Sequence, residues 1–202
     1  MILYGAGPFL LRVYETALAT SEKVVGYFTE PIEPSPTLPV PHLESYQPAI
    51  LPEVPVFLAF LDNTLRRNLF WRIRHPLAKA LIHPSAEVAP SVSVGAGSFI
   101  GPGVRIEAGA KIGPLVIIEE GAVIQAGAII EEGAFVGSFS RVAAGTRVGA
   151  YAYVGAGTIL TPDPPASSLL IGEGTIIGAH MEVRKSCLPF SWILPGRAWR
   201  PE

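Results

Sequence analysis

The chain has 202 residues with 15 Lys+Arg against 17 Asp+Glu, so it offers no basic field for nucleic acid or for an anionic membrane surface. Hydrophobic residues make up 49% and charged residues 16%, which excludes a disordered chain. The longest apolar run, residues 56–61, is far short of the ~20 residues a membrane-spanning helix needs, the single Cys187 cannot form an internal disulfide, and residues 1–19 lack the positive start of a signal peptide, so the expected location is cytoplasmic.

Residues 1–4 read as a short strand, 5–7 as a glycine turn and 8–20 as an amphipathic helix with Pro8 in its first turn. Residues 23–28 read as a second strand. Residues 30–55 are Pro-rich and mostly irregular, with a short strand or turn near 40–46. A third strand is expected at 56–60 and a second helix at 64–74. A strand, a glycine turn and a helix in that order let backbone N–H groups meet a phosphate. The fingerprint is incomplete, because Gly5-x-Gly7-x-x-Leu10 lacks its third glycine. Residues 1–81 are therefore expected as a small Rossmann-like module.

From Ile82 an aliphatic residue recurs every six positions. The series is Ile82, Val88, Val94, Ile100, Ile106, Ile112, Ile118, Ile124, Ile130, Val136, Val142, Val148, Val154 and Leu160. Neither a plain strand nor a helix has that period. A six-residue unit is a short strand plus a corner, which buries its inner side chain only when units stack. The period breaks over 161–170, where Pro162, Pro164 and Pro165 mark an inserted loop, and resumes at Ile171, Ile177 and Val183. The repeat domain is expected over 82–189 and a C-terminal tail over 190–202.

The repeat resembles the hexapeptide-repeat family. That resemblance implies an all-β, left-handed parallel β-helix with three hexads per coil, so residues 18 apart stack. The order of parts, an α/β module and then a β-helix, resembles the sialic acid O-acetyltransferases and nucleotide-sugar N-acetyltransferases. Tyr4-Gly5-Ala6-Gly7 is similar to that family's glycine loop, and Gly26 to Glu30 falls where it has paired aspartates. Ala59 to Arg66 is similar to its Ala-x-Gly-Asp/Asn-Asn-x-x-Arg stretch. Ile82-His83-Pro84-Ser85-Ala86 is similar to its junction, and Phe190 to Gly196 with Arg200 to its closing motif. The resemblance implies acetyl transfer from acetyl-CoA to a sugar or nucleotide-sugar amine or hydroxyl, with no metal. It implies substrate contacts at Gly5, Gly7, Glu30, Asp62, Asn63 and Arg66, and cofactor contacts at Arg184, Lys185, Gly196 and Arg200.

Acyl transfer needs a general base, for which histidine is best suited. The resemblance places the family's histidine at Ala126, flanked here by Gln125 and Gly127, and a methyl cannot take a proton. His180, near Glu182, Arg184 and Lys185, is the best spare base, and Glu119-Glu120 and Glu131-Glu132 could supply a carboxylate. His42, His75 and His83 read as structural or solvated. A β-helix zinc site would need three convergent histidines, and the repeat region holds only His83 and His180, at opposite ends. Three readings stand: a sugar acyltransferase, a non-catalytic trimeric binding or scaffold protein, and, behind these two, an appendage resembling the β-helices of nucleotidyltransferases, for which the chain has no nucleotidyltransferase catalytic domain.

The residue before each repeat aliphatic should face outward. One stacked column, Leu81, Phe99, Ile117, Phe135 and Tyr153, is entirely apolar. Such a column is either a subunit interface or cover for another part of the chain. The expectation is a homotrimer through this face.

Overall fold

The computed structural model describes residues 1–30, 34–43, 51–73, 75–162, 168–195 and 197–199. It opens with β1 (Ile2–Gly5), α1 (Gly7–Ala19), β2 (Gly26–Thr29), β3 (Val56–Ala59) and α2 (Asn63–Arg72). The three strands are parallel in the order β2-β1-β3. β1 is buried along its length because α1 packs on one side of it and α2 lies beyond β3. α2 starts at Asp62, whose carboxylate accepts the Leu65 N–H at 2.7 Å. Residues 41–43 lie along the β2 edge, with Tyr27 N–H donating to Pro41 C=O and Leu43 N–H to Tyr27 C=O. The expected strand or turn near 40–46 thus falls there as far as Leu43, and 44–46 lie outside the described residues.

From Leu81 onward two-residue strands alternate with four-residue corners and wind into a left-handed parallel β-helix. Three sheets form its walls. The first carries Leu81, Phe99, Ile117, Phe135, Tyr153, Ile176 and Trp192 outward, the second Glu87, Arg105, Val123, Arg141, Ile159 and Glu182, the third Ser93, Lys111, Ile129, Arg147 and Leu170. All fourteen repeat aliphatics point inward. Those from Ile100 to Leu160 are fully or almost fully buried, whereas Ile82, Val88 and Val94 are half-buried because no coil lies beneath them. The corner between Leu160 and Leu170 runs over 161–169, where others take four residues such as 143–146. Of the inserted loop, 163–167 lie outside the described residues. The segment from 190, expected as a tail, extends the first sheet. Trp192–Leu194 pairs parallel to Ile176, and Arg197–Trp199 then turns back antiparallel.

From Gly97 onward the third position of each four-residue corner has positive φ, which glycine adopts freely and other residues rarely do. Where a large residue holds it, the side chain leans back over the glycine one coil earlier: Phe139 over Gly121, Tyr151 over Gly133, His180 over Gly157.

The apolar column is covered, but not by a second subunit. Leu81, Phe99, Ile117 and Phe135 are 6% exposed or less and share one core with Phe9, Leu10, Val13, Tyr14 and Ala17 of α1. The expected trimer face is therefore the bed on which the N-terminal module lies. An amphipathic helix of the same chain is always at high effective concentration, so it claims an apolar face before a second subunit can. Tyr153, the fifth rung, lies beyond this cover and is 39% exposed.

Candidate functional site

In a parallel α/β sheet, ligands bind outside the carboxyl ends of the strands where the connections diverge, here between β1 and β3. A cavity of about 190 Å³ sits there, walled by Ala6, Pro8 and Arg12 on one side and Phe60, Leu61 and Asp62 on the other. Leu61 and Asp62 also floor a larger open cleft of about 510 Å³. One wall of that cleft is the start of α2 with Thr64, Arg67 and Asn68. The opposite wall is the β-helix with Tyr151, Tyr153, Ile176 and Phe190. The two spaces form one trough from α1 across the β3 loop to the first sheet.

The sequence-expected substrate residues sit around this trough in different roles. Gly5 serves packing: a Cβ there would stand 2.5 Å from the Ala59 carbonyl oxygen. The Gly7 N–H points at Ser35 Oγ (3.4 Å), and Pro8 has no N–H, so the glycine turn offers a phosphate few donors. Glu30, at the end of β2, accepts the buried Tyr4 hydroxyl. Asp62 is exposed in the trough while capping α2.

Arg66 requires a correction. It is fully buried, and its Nη1 donates to the carbonyls of Phe60 (2.7 Å) and Leu61 (2.9 Å). Its Nη2 donates to Asn63 Oδ1 and to the Gly133 carbonyl, both at 2.8 Å. Burial pulls its pKa down to about 10, with Asp62 opposing. Asn63 Nδ2 donates to the carbonyls of Tyr151 and Ala152, each at 3.1 Å. Together Arg66 and Asn63 clamp the trough floor to the β-helix, leaving Arg66 no terminal N–H for a substrate. A planar guanidinium fork suits several carbonyls at once, which an ammonium does not.

Ala126 is exposed on the edge between the second and third sheets, opposite the sheet that carries the N-terminal module. Within one chain it therefore does not meet the trough. Its N–H donates to Glu107 Oε2 at 3.1 Å, and Glu107 also pairs with Arg105. Sequence reading missed Glu107, since a contact 19 residues back appears only once coils stack. The repeat does mark Tyr151 and Phe190, which fill corner positions that hold glycine at 133 and 174.

Glu120 is exposed, and most of the other alternative bases are engaged elsewhere. His180 is an exposed corner residue whose ring packs on Gly157, just as Phe139 packs on Gly121. Glu119 is buried against Arg12 at 2.7 Å, Glu131 pairs with Arg147 and caps the Ala150 N–H at 2.9 Å, and Glu132 accepts the Tyr151 hydroxyl. Burial, and then Glu132, hold that phenol above its ordinary pKa. His83 meets Ser85 Oγ, His75 meets the Val54 carbonyl, and His42 lies against Tyr27. Arg184 is exposed and tied to Glu182 (2.6 Å), and Lys185 is exposed beside it. Gly196 and Arg200 lie outside the described residues.

A Rossmann-like module seated on a left-handed hexapeptide β-helix, with a trough between them, defines the class of protein. The chain belongs to the family described as the GMPPB C-terminal domain, whose model matches residues 77–189. Among solved structures it is similar to the GDP-perosamine N-acetyltransferase of Caulobacter crescentus, captured with CoA and GDP-perosamine. The TM-score is 0.86 at 29% identity, covering 100% of this chain and 96% of that one. A histidine-to-alanine variant of that enzyme, also holding both ligands, matches equally. The acetyltransferase domain of PglB from Neisseria gonorrhoeae (TM-score 0.81, 20% identity, 99% and 98% covered) shares the fold. So does WeeI from Acinetobacter baumannii (TM-score 0.81, 19% identity, 98% and 97% covered). No curated protein matches the sequence. Among the described residues, no helix is long and apolar enough to cross a membrane.

Proposed function

We propose that the protein is an acyl-CoA-dependent N-acyltransferase acting on a nucleotide amino sugar, and that it works in the cytoplasm as a homotrimer. The observation that carries this is the trough at the β1/β3 switch point, in a chain similar over its whole length to an N-acetyltransferase holding CoA and GDP-perosamine. The nucleotide sugar would lie along the trough near Glu30 and Asp62, with residues 1–81 as its holding module. The β-helix from 82 to 189 would supply the acetyl-CoA groove. Arg184, Lys185, Gly196 and Arg200 are proposed for the cofactor. In the reaction the amine attacks the thioester carbonyl, the C–N bond forms, the C–S bond breaks, and the amine proton passes through water to the departing thiolate, giving the amide and CoA-SH.

Ala126 favours a second reading, in which both ligands bind and nothing turns over. The histidine-to-alanine variant of the Caulobacter enzyme, captured with both ligands, supports the idea that this fold can hold them with a histidine replaced by alanine. Calorimetry with CoA, acetyl-CoA and nucleotide amino sugars, followed by an acetyl-CoA consumption assay, separates the two. Turnover supports the first reading, and saturable binding without turnover the second. Binding of neither ligand class sinks both. Ala126→His alone should add little turnover, because Gln125 and Gly127 also differ from the family pattern.

A further inference from the structure

Two buried polar atoms beside the trough lack partners among the described residues. Arg12 of α1 walls the 190 Å³ cavity between β1 and β3, and its Nη1 donates to Glu119 Oε2 at 2.7 Å. Its Nη2 is buried and donates to nothing, and Glu119 Oε1 is buried and accepts nothing. A guanidinium carries five N–H donors, so one committed bond leaves most of the fork unused. A donor left dry and unpaired costs free energy that an acceptor would recover. The rings of Phe9 and Phe99 lie 5.8 Å from the guanidinium carbon, and with Glu119 they keep the fork at the cavity although the side chain is 35% exposed. Arg12 is the one cation among the described residues that line this cavity. The glycine turn has spent its Gly7 N–H on Ser35 Oγ and has no N–H at Pro8, and Arg66 is committed to four acceptors. Arg67, the cation of the larger cleft, lies over the Tyr151 ring.

We infer that Arg12 binds the diphosphate of the nucleotide sugar, and that Glu119 positions the fork and neutralises it while the cavity is empty. This rests on the function proposed above and moves the phosphate contact from the glycine turn to the flank of α1. A nucleotide sugar laid across the carboxyl ends of β2, β1 and β3 must turn its amino sugar toward the β-helix. Its nucleoside then lies toward β2, and the diphosphate that joins the two parts lies over the β1/β3 cavity. A diphosphate presents several anionic oxygens, which a planar fork can meet two at a time. A small turn of the fork about its bond to Glu119 brings Nη2 to the cavity and gives it the acceptor it lacks. CoA carries a diphosphate too, so the recognised chemistry is shared by both ligands and the test must separate them.

Calorimetry with ADP, GDP, UDP and dTDP, and separately with CoA, compares wild type with Arg12→Gln and Glu119→Gln. At least one nucleoside diphosphate should bind the wild type. Arg12→Gln should bind that nucleotide ~10-fold or more weakly and bind CoA as the wild type does. Glu119→Gln keeps an acceptor for Nη1 and removes the competing charge, so it should bind the nucleotide several times more tightly. If the pair only holds α1 on the β-helix, both substitutions weaken nucleotide binding, and that result overturns the inference. Unchanged nucleotide affinity in Arg12→Gln overturns it as well. A loss of CoA affinity in place of nucleotide affinity gives the cavity to CoA and overturns the assignment. These three failures leave the proposed function standing, whereas a wild type that binds none of the four nucleotides takes the nucleotide-sugar reading down with the inference. If Arg12→Gln does not fold because Glu119 is left buried and alone, the double variant Arg12→Gln/Glu119→Gln is set against Glu119→Gln, and the same loss is expected.

Discussion

Arg66 shows how a residue in a binding-type motif can end up holding architecture. Its guanidinium satisfies three backbone carbonyls and one side-chain amide at the seam between module and β-helix. Arg66→Met should cost about 3–5 kcal/mol in denaturant unfolding, because it strands buried acceptors. Arg66→Lys should recover less than half of that, and full recovery would show that charge rather than the fork is what matters. His180 makes the converse point. Its ring covers Gly157, so Gly157→Ala, with a Cβ 2.5 Å from that ring and φ of +66°, should lower Tm by several degrees. If the chain turns over, His180→Ala should leave the rate within twofold, and a fall of ~10²-fold would restore it as the base. Tyr151 should give a pH signature. Its pKa is raised on folding, so its contribution is complete below the unfolded value of about 10 and is lost as pH rises above that. Wild type should therefore lose stability relative to Tyr151→Phe above about pH 10, and parallel stability curves would show that folding leaves the phenol's pKa unchanged.

At the scale of elements, the contact between α1 and the first sheet decides how the molecule is built. Phe99 is fully buried, packs edge-to-face on Phe9 at 5.2 Å and has Arg12 of α1 beside it. Phe99→Ala should cost about 3–5 kcal/mol without changing the particle mass, since the cavity opens inside one chain. A change in mass by light scattering would return this face to the subunit interface. The elements themselves were largely legible. The expected module helices at 8–20 and 64–74 correspond to α1 and α2, shifted at their ends by a residue or two because caps rather than periodicity set helix boundaries. Which partner would cover Leu81 to Phe135 was not legible. A column of outward apolar residues records that something packs there, and carries no mark distinguishing α1 from a second copy.

At the scale of the whole molecule, the module and the β-helix share one core and should unfold together. A β-helix without its module, residues 77–202, would bare Leu81, Phe99, Ile117 and Phe135 as one stripe, and should aggregate during purification where the full chain does not. A soluble fragment that unfolds at the full-length Tm would show the two parts to be independent. The period-six pattern by itself determined a stacked repeat and its inward set, because one aliphatic every six residues recurs without exception from Ile82 to Leu160, and the family resemblance added the three hexads per coil. The glycine turn was equally plain in the one-dimensional order of residues. Only the tertiary structure decided that Arg66 is a clamp, that Glu107 sits under Ala126, that the His180 ring packs on Gly157, and that α1 owns the apolar column. Each of those depends on which distant segments meet once coils stack and the module docks, and periodicity along the chain carries no information about pairings between faces.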